Sequence, residues 1–205
     1  MNLRNNYWCF ESVLPHRICD AIIRYALTKE DQTALTGGTR NFKNLNNQQQ
    51  RDLFKHRNSK LVWLNDPWVY RYIMPFVNKA NINANWNFNW EWNEVAQFTH
   101  YKKGQFYNWH QDDWGGEKYV SKDEQPNSNL ATEHKGYVGR VRKLSSIIQL
   151  TDPKKYSGGE LEFFFPSGRP DKKLATRICK EFKPRGSIVI FPSFLEHMVQ
   201  NINNS

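Results

Sequence analysis

Near Trp86 the hydrophobic residues of this 205-residue chain change their period. In the segment NWNFNWEWNEVAQFTHY aromatic and polar residues alternate over many positions, which is the pattern of a long strand with one buried face. Further strand-like runs follow as GQFYNWHQD, VRKLSSIIQLTD, GGELEFFF, TRICKEFK, GSIVIFPS and EHMVQNI, divided by the turn signals DPKKYSGG, PSGRPDKK and KPRG. Helices first and many strands after describe an α+β chain whose working part is an antiparallel sandwich or jelly-roll barrel. The length suits one domain spanning 1–205, with a helical flank at 1–85 packed on a strand-rich core at 86–205.

The first half supplies the helices. Behind Pro15, the residues Ile18, Ile22, Tyr25 and Ala26 recur at helical spacing. The stretch from Gln32 to Asn58 is rich in Asn, Gln, Gly and Thr and reads as a long loop, with a short polar helix around QQQRDLFKH. A second apolar face, Trp68, Tyr72, Ile73, Phe76 and Val77, follows Asp66 as N-cap and Pro67 at the first helical position, and Pro75 is expected to kink this helix. The segment from Asp113 to Gly139 is polar and too long for a simple connection, which marks it as a mobile functional loop.

Composition narrows the class. No run approaches the roughly 20 apolar residues of a membrane span, and the N-terminus has no continuous apolar segment of the secretory kind, so a soluble, cytoplasmic protein is expected. Three cysteines, Cys9, Cys19 and Cys179, lack metal-ligand spacing and fit reduced thiols better than a disulfide framework. The net charge of +9 would attract anions, but the basic residues come as short scattered clusters, which is the habit of a solvated surface more than of a dedicated nucleic-acid face.

The octet YNWHQDDW concentrates the polar chemistry. On a strand, residues two apart share a face, so His110 and Asp112 would project together while Gln111 faces away. By itself an H-x-D pair is common by chance and reads more readily as a polar strand end than as a metal site. The second half sharpens it: in GSIVIFPSFLEHMVQNI an apolar strand runs into a turn at Pro192 and delivers His197 where a barrel would return it beside the first pair. Two imidazoles and one carboxylate on one face form the triad suited to non-haem Fe(II) and O₂ chemistry.

The segments HYKKGQFYNWHQDD, RKLSSIIQLTDPKKYSGGELEFF and GSIVIFPSFLEHMV, in that order, resemble the double-stranded β-helix core of prolyl 4-hydroxylase-like Fe(II)/2-oxoglutarate dioxygenases, including small members from bacteria and their viruses. The resemblance runs from about Val95 to the C-terminus. It implies a jelly-roll fold, Fe(II) held by His110, Asp112 and His197, and 2-oxoglutarate and O₂ as co-substrates. It also implies that Tyr101 hydrogen-bonds 2-oxoglutarate, that Leu161 and Val199 line its pocket, and that Gln149 gives it a further polar contact. The family's cation for the far carboxylate would fall just past Ser205, so the core is expected to lack its last strand, or another cation is expected to serve. Trp114, in the long polar loop, is the expected substrate contact, with the loop as a lid.

The resemblance favours hydroxylation of a prolyl or related side chain in a protein, peptide or small molecule. Two other readings use the same scaffold: an oxidative demethylase of alkylated nucleic acid, and a silent binding module, against which the intact triad counts. Trp86, Trp90 and Trp92 read better as core packing than as a surface for stacking bases.

Overall fold

The structure, a computed structural model, describes residues 5–35, 45–126, 128, 130–165 and 175–204. The first half contains β1 (Trp8–Phe10), α1 (His16–Leu27), β2 (Gln32–Thr33), α2 (Asn47–His56), β3 (Arg57–Asn58), β4 (Lys60–Leu64), α3 (Pro67–Arg71) and α4 (Met74–Asn83). Then come β5 (Ala96–His100), β6 (Phe106–His110), β7 (Val120–Ser121), β8 (Ala131–Thr132), β9 (Leu144–Ile148), β10 (Ser157–Gly158), β11 (Leu161–Phe164) and β12 (Thr176–Ile178). The last are β13 (Ile188–Pro192), β14 (His197–Val199) and β15 (Ile202–Asn204). No described helix is long and apolar enough to cross a membrane.

The helices form where the apolar spacing places them. Cys19, Ile22 and Ala26 of α1 are buried against Leu14, Val62 and Leu64, with Ile18 and Tyr25 packed at the edge. At α2, Asn46 and Gln49 exchange side-chain-to-backbone hydrogen bonds of 2.9 Å each, a reciprocal capping box that starts a polar helix with little core to hold it. The segment after Asp66 departs from expectation in two ways. Pro75 does more than kink a helix: it separates α3 from α4 and sits in the first turn of α4, where its missing N–H leaves no donor unsatisfied. Asp66 stands at the N-cap of α3 without capping it, because its carboxylate accepts a hydrogen bond from the Tyr25 hydroxyl instead.

The alternating segment is also different from the strand that its pattern suggests. Only Ala96–His100 joins a ladder; residues 86–95 are irregular. Asn85 and Asn87 adopt positive φ of 57° and 52°, a left-handed conformation that strands exclude and Asn tolerates. Side-chain burial still alternates, because Trp86, Phe88 and Trp90 pack on α4 without ladder pairing. Asn81 replaces the ladder bonds: its amide donates to Phe88 O (2.8 Å) and accepts from Phe88 N (2.9 Å).

The sheets are antiparallel except for β7–β8. One runs β1-β13-β9, a second β12-β11-β14-β6-β3, a third β2-β4-β5, and β10 pairs with β15. Every residue of β13 is buried, and its two faces serve two cores. Ile188 and Ile190 face Val77, Ala80 and Trp86. Val189 and Phe191 face Leu161 and Phe163 of β11. Each such side chain contributes about 1.5–3 kcal/mol relative to exposure, so this strand fixes the sheets against the helices and against each other. The expected loop at 32–58 holds β2, α2 and β3 among its described residues. The long polar segment is tied at its base, where Tyr119 and Arg140 pair through Tyr119 N–H to Arg140 O at 2.9 Å and Gly139 N–H to Tyr119 O at 2.8 Å. The turn expected at 166–173 lies outside the described residues.

Asn81→Ala removes both bonds to Phe88 and is expected to lower unfolding free energy by about 2–4 kcal/mol. Urea denaturation checks this; a loss below about 0.5 kcal/mol, the range of a neutral surface change, would mean that packing alone holds the aromatic segment.

Candidate metal centre

Strand register builds the site. β6 and β14 are antiparallel neighbours in which His197 stands directly opposite His110, and their ring centroids lie 4.1 Å apart. The next partner pair is Val199 with Tyr107, so two steps along β14 match three along β6 and the ladder is bulged there. On a regular strand Tyr107 and His110 would point to opposite faces; across the bulge Tyr107 stacks on His110 at 3.5 Å.

Asp112 does not share a strand with His110, contrary to the pleat argument. β6 ends at His110, and Asp112 is placed by its own bonds. Its N–H donates to Ser193 O (2.8 Å), its carbonyl accepts from Arg142 Nη1 (2.8 Å), and its Oδ2 accepts from Ser145 Oγ (2.6 Å). One ligand atom from each of His110, Asp112 and His197 lies within 4.8 Å of the others, and no other such group of three or more His, Cys, Asp or Glu occurs among the described residues.

The imidazoles are oriented from behind. Nδ1 of His110 bonds Asn108 O at 2.7 Å, and Nδ1 of His197 bonds Leu195 O at 2.9 Å. A carbonyl only accepts, so Nδ1 carries the proton in each ring and the Nε2 lone pairs face Asp112. The Nε2-to-carboxylate separations are 3.7 Å for His110 and 3.8 Å for His197, too long for hydrogen bonds. The three groups therefore do not satisfy each other, and a divalent cation among them fits: two neutral nitrogens and one carboxylate oxygen, presented from one side.

Electrostatics agree. Burial, with the His197 ring adding to it, pushes the His110 pKa from 6.5 down to about 3, so the ring stays neutral and able to ligate. For Asp112 burial acts upward, but His197, His110, Ser145 and Arg142 outweigh it and hold the carboxyl below its ordinary value. Arg142 is itself anchored by Glu94, Nε to Oε1 at 2.7 Å.

The triad opens into a cavity of about 1110 Å³. Tyr101, Gln149, Leu161 and Val199 all line it with His110, Asp112 and His197. Burial pushes the Tyr101 phenol up to about 12, keeping it a neutral donor, and Ser59 is its hydrogen-bond partner. Gln149 donates to the Tyr156 hydroxyl from the same wall. The side chain of Trp114 lies outside the described residues.

Arg57, Tyr107 and Ser145 escaped the sequence reading. Arg57 is only 4% exposed, bonds Ser59 Oγ (3.0 Å) and Gln97 Oε1 (3.2 Å), lies over the Tyr107 ring at 4.3 Å and lines the cavity. Among the described residues it has no carboxylate partner. It lies in a polar stretch with no period to expose it, and Tyr107 was hidden by the bulge; Ser145 had a signal, one of two adjacent hydroxyls, with Ser146, among the apolar residues of its strand.

The family model described as the 2OG-Fe(II) oxygenase superfamily matches residues 96–205. The chain thus belongs to the 2-oxoglutarate- and Fe(II)-dependent oxygenases, which use O₂ as the other co-substrate. Within that class its fold is similar to that of a prolyl 4-hydroxylase from Pseudomonas putida, at 16% identity and TM-score 0.61, covering 98% of this chain and 88% of that one. It is also similar to a viral collagen prolyl hydroxylase from Paramecium bursaria Chlorella virus 1, solved with 2-oxoglutarate, at 17% identity and TM-score 0.56, covering 98% and 91%. No curated protein sequence matches.

In the metal-free protein the folded pKa of His110, about 3, lies below the unfolded value of 6.5. Between those values the unfolded chain takes up a proton that the folded one refuses, so this group's contribution is complete above pH 6.5 and is lost as pH falls toward 3. Urea midpoints followed downward from neutral pH are expected to fall less steeply in His110→Gln than in the parent. Parallel curves would contradict a buried neutral imidazole.

Proposed function

We propose that His110, Asp112 and His197 hold Fe(II) and that the chain hydroxylates an unactivated C–H bond, with a prolyl or related side chain of a peptide or small molecule as substrate. The observation that carries this is the pairing of His110 with His197, with the Asp112 carboxylate facing both Nε2 atoms. The flanking sheets are taken as the two halves of a double-stranded β-helix. Bound Fe(II) with 2-oxoglutarate and O₂ would supply the oxidising power. The chain's own residues orient and exclude. Asn108 O and Leu195 O keep both Nε2 atoms unprotonated; Ser145 and Arg142 hold Asp112 in place. Tyr107, Phe191 and Phe163 wall the imidazoles from water on their apolar sides.

Tyr101, Gln149, Leu161 and Val199 are assigned to 2-oxoglutarate, as neutral donors and apolar wall. Arg57 is assigned to a ligand carboxylate, because a buried guanidinium without an anion is costly and a bound acid relieves it. Demethylation of nucleic acid is less well supported: Arg140 and Arg142, which line the cavity, are already paired with Glu91 and Glu94 and are not free for phosphate.

Succinate release from 2-oxoglutarate under Fe(II) is expected to be stimulated by prolyl peptides and not by methylated oligonucleotides; the reverse would select the demethylase reading. His110→Ala and Asp112→Ala are each expected to reduce release by more than about a hundredfold, since even outer-shell partners of metal ligands cost 10–100-fold, while keeping a cooperative unfolding transition. Unreduced turnover would remove the assigned ligands. Arg57→Gln is expected to weaken 2-oxoglutarate binding to the Mn(II)-loaded protein about tenfold or more by calorimetry, as loss of a charged hydrogen bond does. If that affinity is unchanged and peptide affinity falls instead, the carboxylate met by Arg57 belongs to the substrate.

A further inference from the structure

β1 and β12 are the outer strands of two different sheets, β1-β13-β9 and β12-β11-β14-β6-β3. A half-buried packed layer joins those edges. Tyr7, just before β1, stacks on Phe163 of β11 with centroids 4.9 Å apart, and its hydroxyl donates to Glu181 Oε2 at 3.4 Å, in the turn that follows β12. Arg177 of β12 lies over the Tyr7 ring at 5.6 Å and pairs with Glu181 at 3.1 Å. Within this layer Cys9, in the middle of β1, packs against the buried cluster that contains Cys179, immediately after β12, and the two thiols shift each other's protonation. Both are free; Cys179 is 3% exposed and Cys9 is half-buried. They belong to no metal-ligating group, since the triad is the one such group among the described residues.

We propose that Cys9 and Cys179 form a reversible disulfide that latches the edge of one sheet to the edge of the other. The oxidant class is a low-molecular-weight disulfide such as oxidised glutathione. Cys179 and burial both push the Cys9 thiol up, so Cys9, the more accessible of the two, loses its proton to solvent as it attacks one sulfur of the small disulfide, and a small thiolate is released. Cys179 then attacks the Cys9 sulfur of the mixed disulfide, forming the S–S bond and releasing the second small thiolate. Two protein thiols are oxidised, one small disulfide is reduced to two thiols, and the two protons pass to the leaving thiolates. The second step suits its nucleophile: Cys9 holds the Cys179 thiol below its ordinary value. Cys19 takes no part, since it lies in the separate core under α1 with its thiol directed to Leu14 O.

The latch joins residues nearly a whole chain apart in sequence, which is where a cross-link restricts the unfolded ensemble most. It also lies one ring behind the metal centre, since Phe163 packs 6.1 Å from His197 and on Tyr7.

The test uses the full chain, titrated with oxidised and reduced glutathione and quenched with an alkylating agent. Peptide mapping is expected to show Cys9 joined to Cys179 with Cys19 alkylated, the intact mass lower by two hydrogens, and the melting temperature raised by several degrees, reversed by reductant. Cys9→Ser and Cys179→Ser are each expected to lose the shift, and Cys19→Ser to keep it. If either serine variant fails to fold, mapping of the unmutated chain decides alone. Glutathione left on Cys9 without a cross-link, a link that includes Cys19, or a cross-link that leaves the melting temperature unchanged would each overturn the latch.

Discussion

The pairing of β6 with β14 is the constraint on which the site depends. Antiparallel neighbours fix the distance between opposed Cβ atoms, so once His110 stands opposite His197 the two rings meet without further adjustment. A slip of one residue would turn one imidazole to the far face and abolish the centre. The register is protected on both sides: β14 also pairs with β11 through Leu161–Val199 and Phe163–His197, and β6 pairs with β3 through Tyr107–Arg57. The same ladder that brings the histidines together therefore brings Leu161, Val199 and Arg57 to the cavity around them.

Much of this was legible in the chain. A fully apolar IVIFP between Gly186 and a proline turn can only be a central strand, and β13 is one. The helices announced themselves by spacing, and His110 and His197 by their places next to strand ends. What the sequence could not display was register. The bulge between Tyr107 and His110 reverses the side to which an odd spacing points, so the ring nearest His110 had no visible link to it. Asp112 was found for an incomplete reason, since the pleat that seemed to aim it stops at His110 and tertiary bonds to Ser193, Arg142 and Ser145 take over. The aromatic alternation after Trp86 misled in the opposite way. Alternation records which side chains are buried, and here an Asn81 clamp with two left-handed asparagines produces it without a ladder.

Those bonds to Asp112 have a consequence for how the long polar segment bears on the chemistry. Glu94 Oε1 accepts from the Tyr119 hydroxyl at 2.9 Å and from Arg142 Nε at 2.7 Å, and Arg142 reaches on to the carbonyl of Asp112. Tyr119 belongs to the segment read as a lid, so the loop, the cavity wall and the backbone of a proposed metal ligand are joined by one carboxylate and one guanidinium. The pair is half-buried, and burial alone would favour the neutral Arg142, yet Glu94 keeps its pKa above the ordinary value. A displacement of the loop that drew Tyr119 away would leave Glu94 to Arg142 alone and loosen the support under Asp112. Placement of the loop's root and placement of the carboxylate are thus joined by contacts already formed, with one half-buried ion pair serving both.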